Sequence, residues 1–61
     1  MYRLDFVITR TIADGVEYDL PIDEFVTIPG TVIYDTLDAA ECTRIDLSRN
    51  ATNGYYRVVE F

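Results

Sequence analysis

The chain has 61 residues and a net charge of −6, with eleven acidic side chains, five arginines, no lysine and no histidine. It has no histidine and only one cysteine, Cys42, so it lacks the usual zinc sites and any nucleophile activated by an imidazole. Without lysine it also lacks the phosphate-binding lysine of nucleotide-binding loops. The negative charge also disfavours nucleic acid and anionic lipid as direct partners, so we expect a protein that is not an enzyme and needs no cofactor.

Size and composition indicate a single domain spanning residues 1–61. No run of about 18 apolar residues occurs, so we expect no membrane span. Asp5 interrupts the apolar character of the first residues, which argues against a secretory signal. The lone cysteine agrees with a reducing compartment, and we expect a cytoplasmic protein.

Residues 2 to 22 predict one β-hairpin. Apolar side chains recur at even positions on both sides of a turn at residues 13–15, and this period of two is typical of strands with one buried face. A three-residue loop pairs Ile12 with Val16, and a slip by one residue would bring acids onto the apolar face. The predicted buried face consists of Leu4, Phe6, Ile8, Val16, Leu20 and Ile22.

Residues 25 to 34 are apolar on both sides of Pro29-Gly30, a pair that suits a type II turn. A tight reversal there pairs Val26 with Ile33. Three interpretations stay open: a central strand pair under the C-terminal segment, which we favour, a plain extended bend without strand pairing, or a dimer contact. The last rests on more apolar surface than one small core should hide. The candidate interaction residues are Phe25, Val26, Ile28, Val32, Ile33 and Tyr34.

Residues 35 to 48 carry mixed signals. Asp35 or Thr36 suits the N-cap of a helix, whereas residues 43–47 alternate as a strand does. A helix of two turns has little stability of its own. We therefore predict a short helix over about 36–42 and a strand over about 43–48.

The C-terminal residues predict a second hairpin around the turn signal Asn53-Gly54. Its pairing sets Leu47 opposite Tyr56 and Asp46 opposite Arg57, the latter as an exposed ion pair. The complete pattern predicts a mostly β fold, either a small antiparallel sheet or an open barrel built from hairpins. It becomes α+β if the helix near residues 36–42 forms.

The acids come singly or in pairs and are densest over residues 19–24. They fit a solvated surface that maintains solubility, an adaptation to high salt, or an imitation of nucleic-acid phosphates. The acidic surface is expected to include Asp5, Glu17, Asp19, Asp23 and Glu24.

Two classes of function fit this sequence. The first is a small acidic, non-enzymatic protein-interaction module whose partner is itself, a homodimer formed through apolar sheet surface. The alternative is an acidic inhibitor or nucleic-acid mimic that binds a basic protein, by analogy with small acidic proteins of viruses and mobile elements. High salt should maintain an apolar interface and weaken charge mimicry, which distinguishes the two.

Overall fold

A computed structural model describes all 61 residues and contains six strands and one α-helix. The bounds are β1 Tyr2–Ile8, β2 Arg10–Ala13, β3 Val16–Asp19, β4 Val26–Ile28, β5 Ile33–Tyr34, α1 Leu37–Ser48 and β6 Gly54–Glu60, with a 3₁₀ turn at Ile22–Glu24. All strand pairs are antiparallel. The predicted mostly β fold with one short helix is confirmed, in the form of a small antiparallel sheet.

The central strand is β1, and it pairs on both of its edges. Along one edge β6 pairs over the full length of β1, from Tyr2 opposite Glu60 to Ile8 opposite Gly54. The other edge holds β4 and β5 in tandem, opposite residues 6–8 and 2–3 of β1. β1 is therefore the strand on which the four-stranded sheet is assembled.

The predicted hairpin of residues 2–22 is wrong in its pairing. Residues 10–19 form a separate two-stranded hairpin, β2–β3, which we call the arm. Asp14 and Gly15 both have positive φ (53° and 77°), as a two-residue type I′ loop requires, so Ala13 pairs with Val16 and Ile12 with Glu17. Compared with the predicted pairing of Ile12 with Val16, the register is shifted by one residue, which the sequence pattern had disfavoured. Every residue of β2 and β3 is exposed, so no buried face opposes the slip and the turn sets the register.

The predicted buried face is correct in part, mainly within β1. Leu4 is buried, and Phe6, Ile8 and Leu20 are partly buried. Val16 on the arm and Ile22 in the 3₁₀ turn are exposed. The apolar alternation therefore continues beyond the part of the chain that packs, because β1 ends at Ile8 and its pairing partners come from later segments.

Residues 25–34 do not form the tight reversal that pairs Val26 with Ile33. They run along the edge of β1, and four residues, 29–32, lie between the pairs Ile28–Phe6 and Ile33–Arg3, where β1 has only two. The result is a two-residue bulge. Gly30 is required there because a Cβ would collide with the carbonyl oxygen of Leu4. The extended bend without strand pairing is also wrong, because β4 and β5 on either side of the bulge pair with β1.

The helix α1 is longer than the predicted 36–42 and replaces the strand predicted over 43–48. Thr36 is its N-cap, since its Oγ1 accepts a hydrogen bond from the backbone N–H of Ala39 at 3.2 Å. The helix lies against β6, β1 and β5, with the small side chain of Ala40 fully buried. The predicted pairing of Leu47 with Tyr56 is consequently wrong, because β6 pairs with β1 instead.

The core is small and lies on both faces of the sheet, because Leu4 and Val7 have opposite parity on β1. Leu4, Val7 and Ala40 are the only buried apolar residues. The Phe6 and Tyr56 rings pack with their centroids 4.7 Å apart, beside a shallow pocket whose lining includes Leu4 and Leu47. The overall extents are 41 × 22 × 16 Å. No helix combines the length and the apolar content needed to cross a membrane.

Candidate interaction surfaces

The candidate interaction residues lie together along one edge of the sheet. We call them the apolar strip: Phe25, Val26, Ile28, Val32, Ile33 and Tyr34. Phe25 and Tyr34 are half-buried, whereas the other four have exposures between 47% and 59%. No residue from 25 to 34 carries a charge, although 26% of the whole chain is charged. The structure therefore brings these residues to the surface as one uncharged, apolar edge.

The apolar strip extends onto both faces of the sheet. Directly paired residues share a face, so Val26 and Ile28 lie on the face of their partners Ile8 and Phe6. Ile33 pairs with Arg3 and lies on the opposite face. Pro29 has no N–H and stands in the bulge, which breaks the hydrogen-bonding edge here. This edge is therefore suited to side-chain packing and poorly suited to adding a strand.

Asp5 was expected on the acidic surface, and this prediction is wrong. Its exposure is only 2%, because it lies on the central strand between two paired neighbours. Its Oδ1 accepts hydrogen bonds from Arg3 Nε at 2.9 Å and from the Gly30 N–H at 3.3 Å. Arg57 Nη2 lies 3.9 Å from Oδ2. One carboxylate thus links β1, the bulge and β6.

The electrostatics of this cluster favour the charged carboxylate. The hydrogen bond from Arg3 lowers the pKa of Asp5; burial opposes it, and the Gly30 N–H and the charges of Arg3 and Arg57 lower the pKa further. Arg3 also lies over the Phe61 ring, 5.6 Å from its centroid. The sequence signal for this cluster was the spacing of Arg3 and Asp5, which puts both on one face of a strand.

The other predicted acidic residues are exposed, as expected: Glu17, Asp19, Asp23 and Glu24. Each of the five arginines has an acidic partner, in the pairs Arg3–Asp5, Arg10–Asp19, Arg44–Glu41, Arg49–Asp46 and Arg57–Asp5. The exposed acids without an arginine partner are Asp14, Glu17, Asp23, Glu24, Asp35, Asp38 and Glu60. The seven unpaired acids outweigh the one positive charge left where Arg3 and Arg57 share Asp5, which gives the net charge of −6.

No group of three or more histidine, cysteine, aspartate or glutamate side chains is arranged to hold a metal ion. Cys42 is a free, exposed thiol on α1. Comparisons with protein-family models, curated proteins and solved structures find no match. The function is therefore argued from the surfaces of this chain.

Proposed function

We propose that this chain is a small acidic, non-enzymatic protein-interaction module that associates with a second copy of itself through the apolar strip. The observation that carries the proposal is the exposure of four large apolar side chains on an uncharged edge. Fully burying one such side chain is worth about 1.5–3 kcal/mol. Left in water, the strip would forfeit that free energy in a domain with very little core.

The shape of the monomer supports the same proposal. Its accessible surface is 4522 Å², whereas a compact protein of this mass exposes about 4,000 Å². Its radius of gyration is 12.9 Å, against about 10.5 Å for a compact chain of this length. The chain is extended and buries only three apolar residues by itself. Contact with another chain would therefore bury much of its remaining apolar surface.

The charge distribution restricts where two copies can meet. Each copy carries −6, so most surfaces repel their counterparts. The apolar strip contains no charge and can face its own copy about a two-fold axis without this repulsion. The bulge interrupts strand addition, so the contact is made by side-chain packing. The exposed thiol of Cys42 supports a reducing, cytoplasmic location, where it would stay unoxidised.

The test is a charge substitution with a matched control. Val26→Lys combined with Ile33→Lys places two cations in the contact and should weaken association through the apolar strip at least about tenfold. Ile12→Lys combined with Val16→Lys adds the same charge at two exposed positions on the arm and should leave association unchanged. Equal molar masses for the two double variants in sedimentation equilibrium would reject the apolar strip as the contact.

The second candidate function is the acidic inhibitor or mimic that binds a basic protein. It is favoured by the pairing of every arginine, which leaves seven exposed acids uncompensated, four of them between residues 14 and 24. Neutralising Asp14, Glu17, Asp23 and Glu24 as amides should then abolish binding to a basic partner. Binding that is unchanged between 0.1 M and 1 M salt, where the Debye length falls from about 10 to about 3 Å, would exclude this function.

A further inference from the structure

The edge formed by β6 is open. This strand runs for seven residues from Gly54 to Glu60, pairs with β1 on one side and has no strand on the other. It contains no proline and no bulge, and its register against β1 is continuous. Natural proteins usually interrupt or cover such edges because they add strands readily. Here the opposite edge carries Pro29 and the bulge, whereas β6 carries no such protection.

The hydrogen bonds at the two ends of the β1–β6 pairing show which β6 residues direct their backbone N–H and C=O groups toward β1 and which direct them outward. Met1 and Phe61 exchange backbone hydrogen bonds in both directions, and the Thr9 N–H donates to the Asn53 carbonyl. Hydrogen-bonded pairs alternate along an antiparallel ladder, so Tyr55, Arg57 and Val59 also bond to β1. The backbone groups of Tyr56, Val58 and Glu60 therefore point away from β1, and none is used elsewhere in the chain.

We propose that β6 is a self-recognition edge, which pairs antiparallel with β6 of a second copy about a two-fold axis. The occupant is a second copy because β6 contains one arginine and one glutamate and so has no net charge, which lets two copies meet at this edge although each chain carries −6. The edge also carries Tyr55, Tyr56, Val58 and Val59, side-chain types that favour strand pairing. This contact is separate from the apolar strip and does not depend on it.

Repulsion between charged side chains determines the register in which the two β6 strands pair. Centring the axis on Arg57 gives the longest ladder of bonds, but it places the two Arg57 side chains directly opposite each other, which is destabilising. Centring the axis on Val58 keeps residues 55–61 paired. It sets Arg57 opposite Val59 of the second copy, and Tyr56 opposite Glu60. The amides of Tyr56, Val58 and Glu60 are then bonded between copies, whereas that of Gly54 is not.

Hydrogen exchange of the unmodified protein tests this register. At high micromolar concentration the Tyr56, Val58 and Glu60 amides should be protected, and on dilution they should exchange faster. The amides of Tyr55, Arg57 and Val59 should stay protected at both concentrations because β1 holds them. Fast exchange of the three outward amides at high concentration would overturn the proposal. Protection of Gly54 together with these amides would overturn the register centred on Val58.

A substitution at the edge separates this contact from the apolar strip. In Glu60→Pro the lost N–H points outward, so no bond to β1 is removed, while pairing between copies loses two bonds. In the Val26→Lys, Ile33→Lys background we expect the Glu60→Ala control to have twice the 7.0 kDa chain mass. Glu60→Pro in that background should associate at least about tenfold more weakly. A mass of 7.0 kDa for the Glu60→Ala control would overturn the proposed β6 contact. It would not affect the separate proposal that the apolar strip mediates association.

Discussion

At the residue scale, Asp5 has the most consequential environment in the molecule. Its carboxylate receives hydrogen bonds from Arg3 and Gly30 and lies near Arg57, so it connects the central strand to both neighbouring segments. Arg3 remains partly solvated, with a side-chain exposure of 34%, which moderates the strength of this pair. The cluster joins the three segments at the point where the bulge would otherwise leave backbone groups without partners.

Replacing this carboxylate should destabilise the fold. Asp5→Asn removes the ionic partner of Arg3 and Arg57 and should lower the free energy of unfolding by about 1–3 kcal/mol. Asp19→Asn is the matched control, because Arg10 Nε donates to Asp19 Oδ1 at the same 2.9 Å on the exposed arm. That pair should contribute about 0–1 kcal/mol. Urea unfolding measures both variants, and equal losses would contradict a special role for Asp5.

The same carboxylate predicts a pH dependence. Because the pKa of Asp5 is lowered in the folded protein, the folded state binds fewer protons than the unfolded state near the ordinary value of 3.8. The contribution to stability is therefore complete above that value and is lost as pH falls through the folded pKa. The difference in unfolding free energy between the unmodified protein and Asp5→Asn should shrink below about pH 4. A difference independent of pH would contradict the assignment.

The burial of single residues was predicted correctly where the local sequence pattern determines it. It was predicted wrongly where the strands that pair with the residue's own strand determine it. The parity of β1 correctly places Leu4 in the core and puts Asp5 on the opposite face. That Asp5 is nevertheless buried follows from the position of β1 between β6 and the β4–β5 edge. Neither partner adjoins β1 in the chain, so no local signal indicates this burial.

At the element scale, the arm and the sheet are stabilised differently. The arm is a two-stranded hairpin with every residue exposed, and such hairpins are marginal in isolation. The sheet is stabilised by α1 and by the burial of Leu4 and Val7. The type I′ loop at Asp14-Gly15 defines the register of the arm without help from a core.

This difference predicts contrasting effects of two truncations. Leu4→Ala removes buried methyl groups from the small core and should cost about 2–5 kcal/mol, enough to unfold a domain of this size. Ile12→Ala on the arm, where Ile12 is 68% exposed, should change stability by no more than about 0.5 kcal/mol. Thermal unfolding followed by circular dichroism measures both. Similar melting temperatures for the two variants would show that side chains on the arm and in the sheet contribute equally to stability.

The helix shows why element boundaries were only partly predictable. Thr36 was among the two expected N-caps, and the structure selects it. The alternation of residues 43–47 predicted a strand, yet these residues continue α1 to Ser48. The helix contacts β6, β1 and β5, and Leu47 in its last turn lines a pocket with Leu4 and Tyr56, so tertiary packing outweighs the local pattern. The C-terminal hairpin was wrong for the same reason, since it needed residues 43–48 as a strand.

At the scale of the whole molecule, charge and shape dominate. The chain is extended, and seven of its exposed acids have no arginine partner. The strand order could not be predicted, because β1 pairs with segments about 20, 30 and 50 residues away in sequence and such contacts have no local signature. The apolar excess of residues 25–34 was visible in the sequence, since it depends on composition alone.

Salt should stabilise the protein. Screening of the uncompensated acids at about 1 M sodium chloride, where the Debye length is about 3 Å, should raise the melting temperature. Asp23→Asn combined with Glu24→Gln removes two exposed acids, and it should raise the melting temperature in dilute buffer and reduce the response to salt. A flat salt response in the unmodified protein would show that the acids are locally compensated, and would remove the support for adaptation to high salt.

Self-association is the central claim, and the molar mass of the unmodified protein tests it most directly. Sedimentation equilibrium at high micromolar concentration in a reducing buffer, which prevents disulfides between exposed Cys42 thiols, reports that mass. We predict at least twice the 7.0 kDa of the single chain. A single species of 7.0 kDa would contradict self-association through either edge of the sheet.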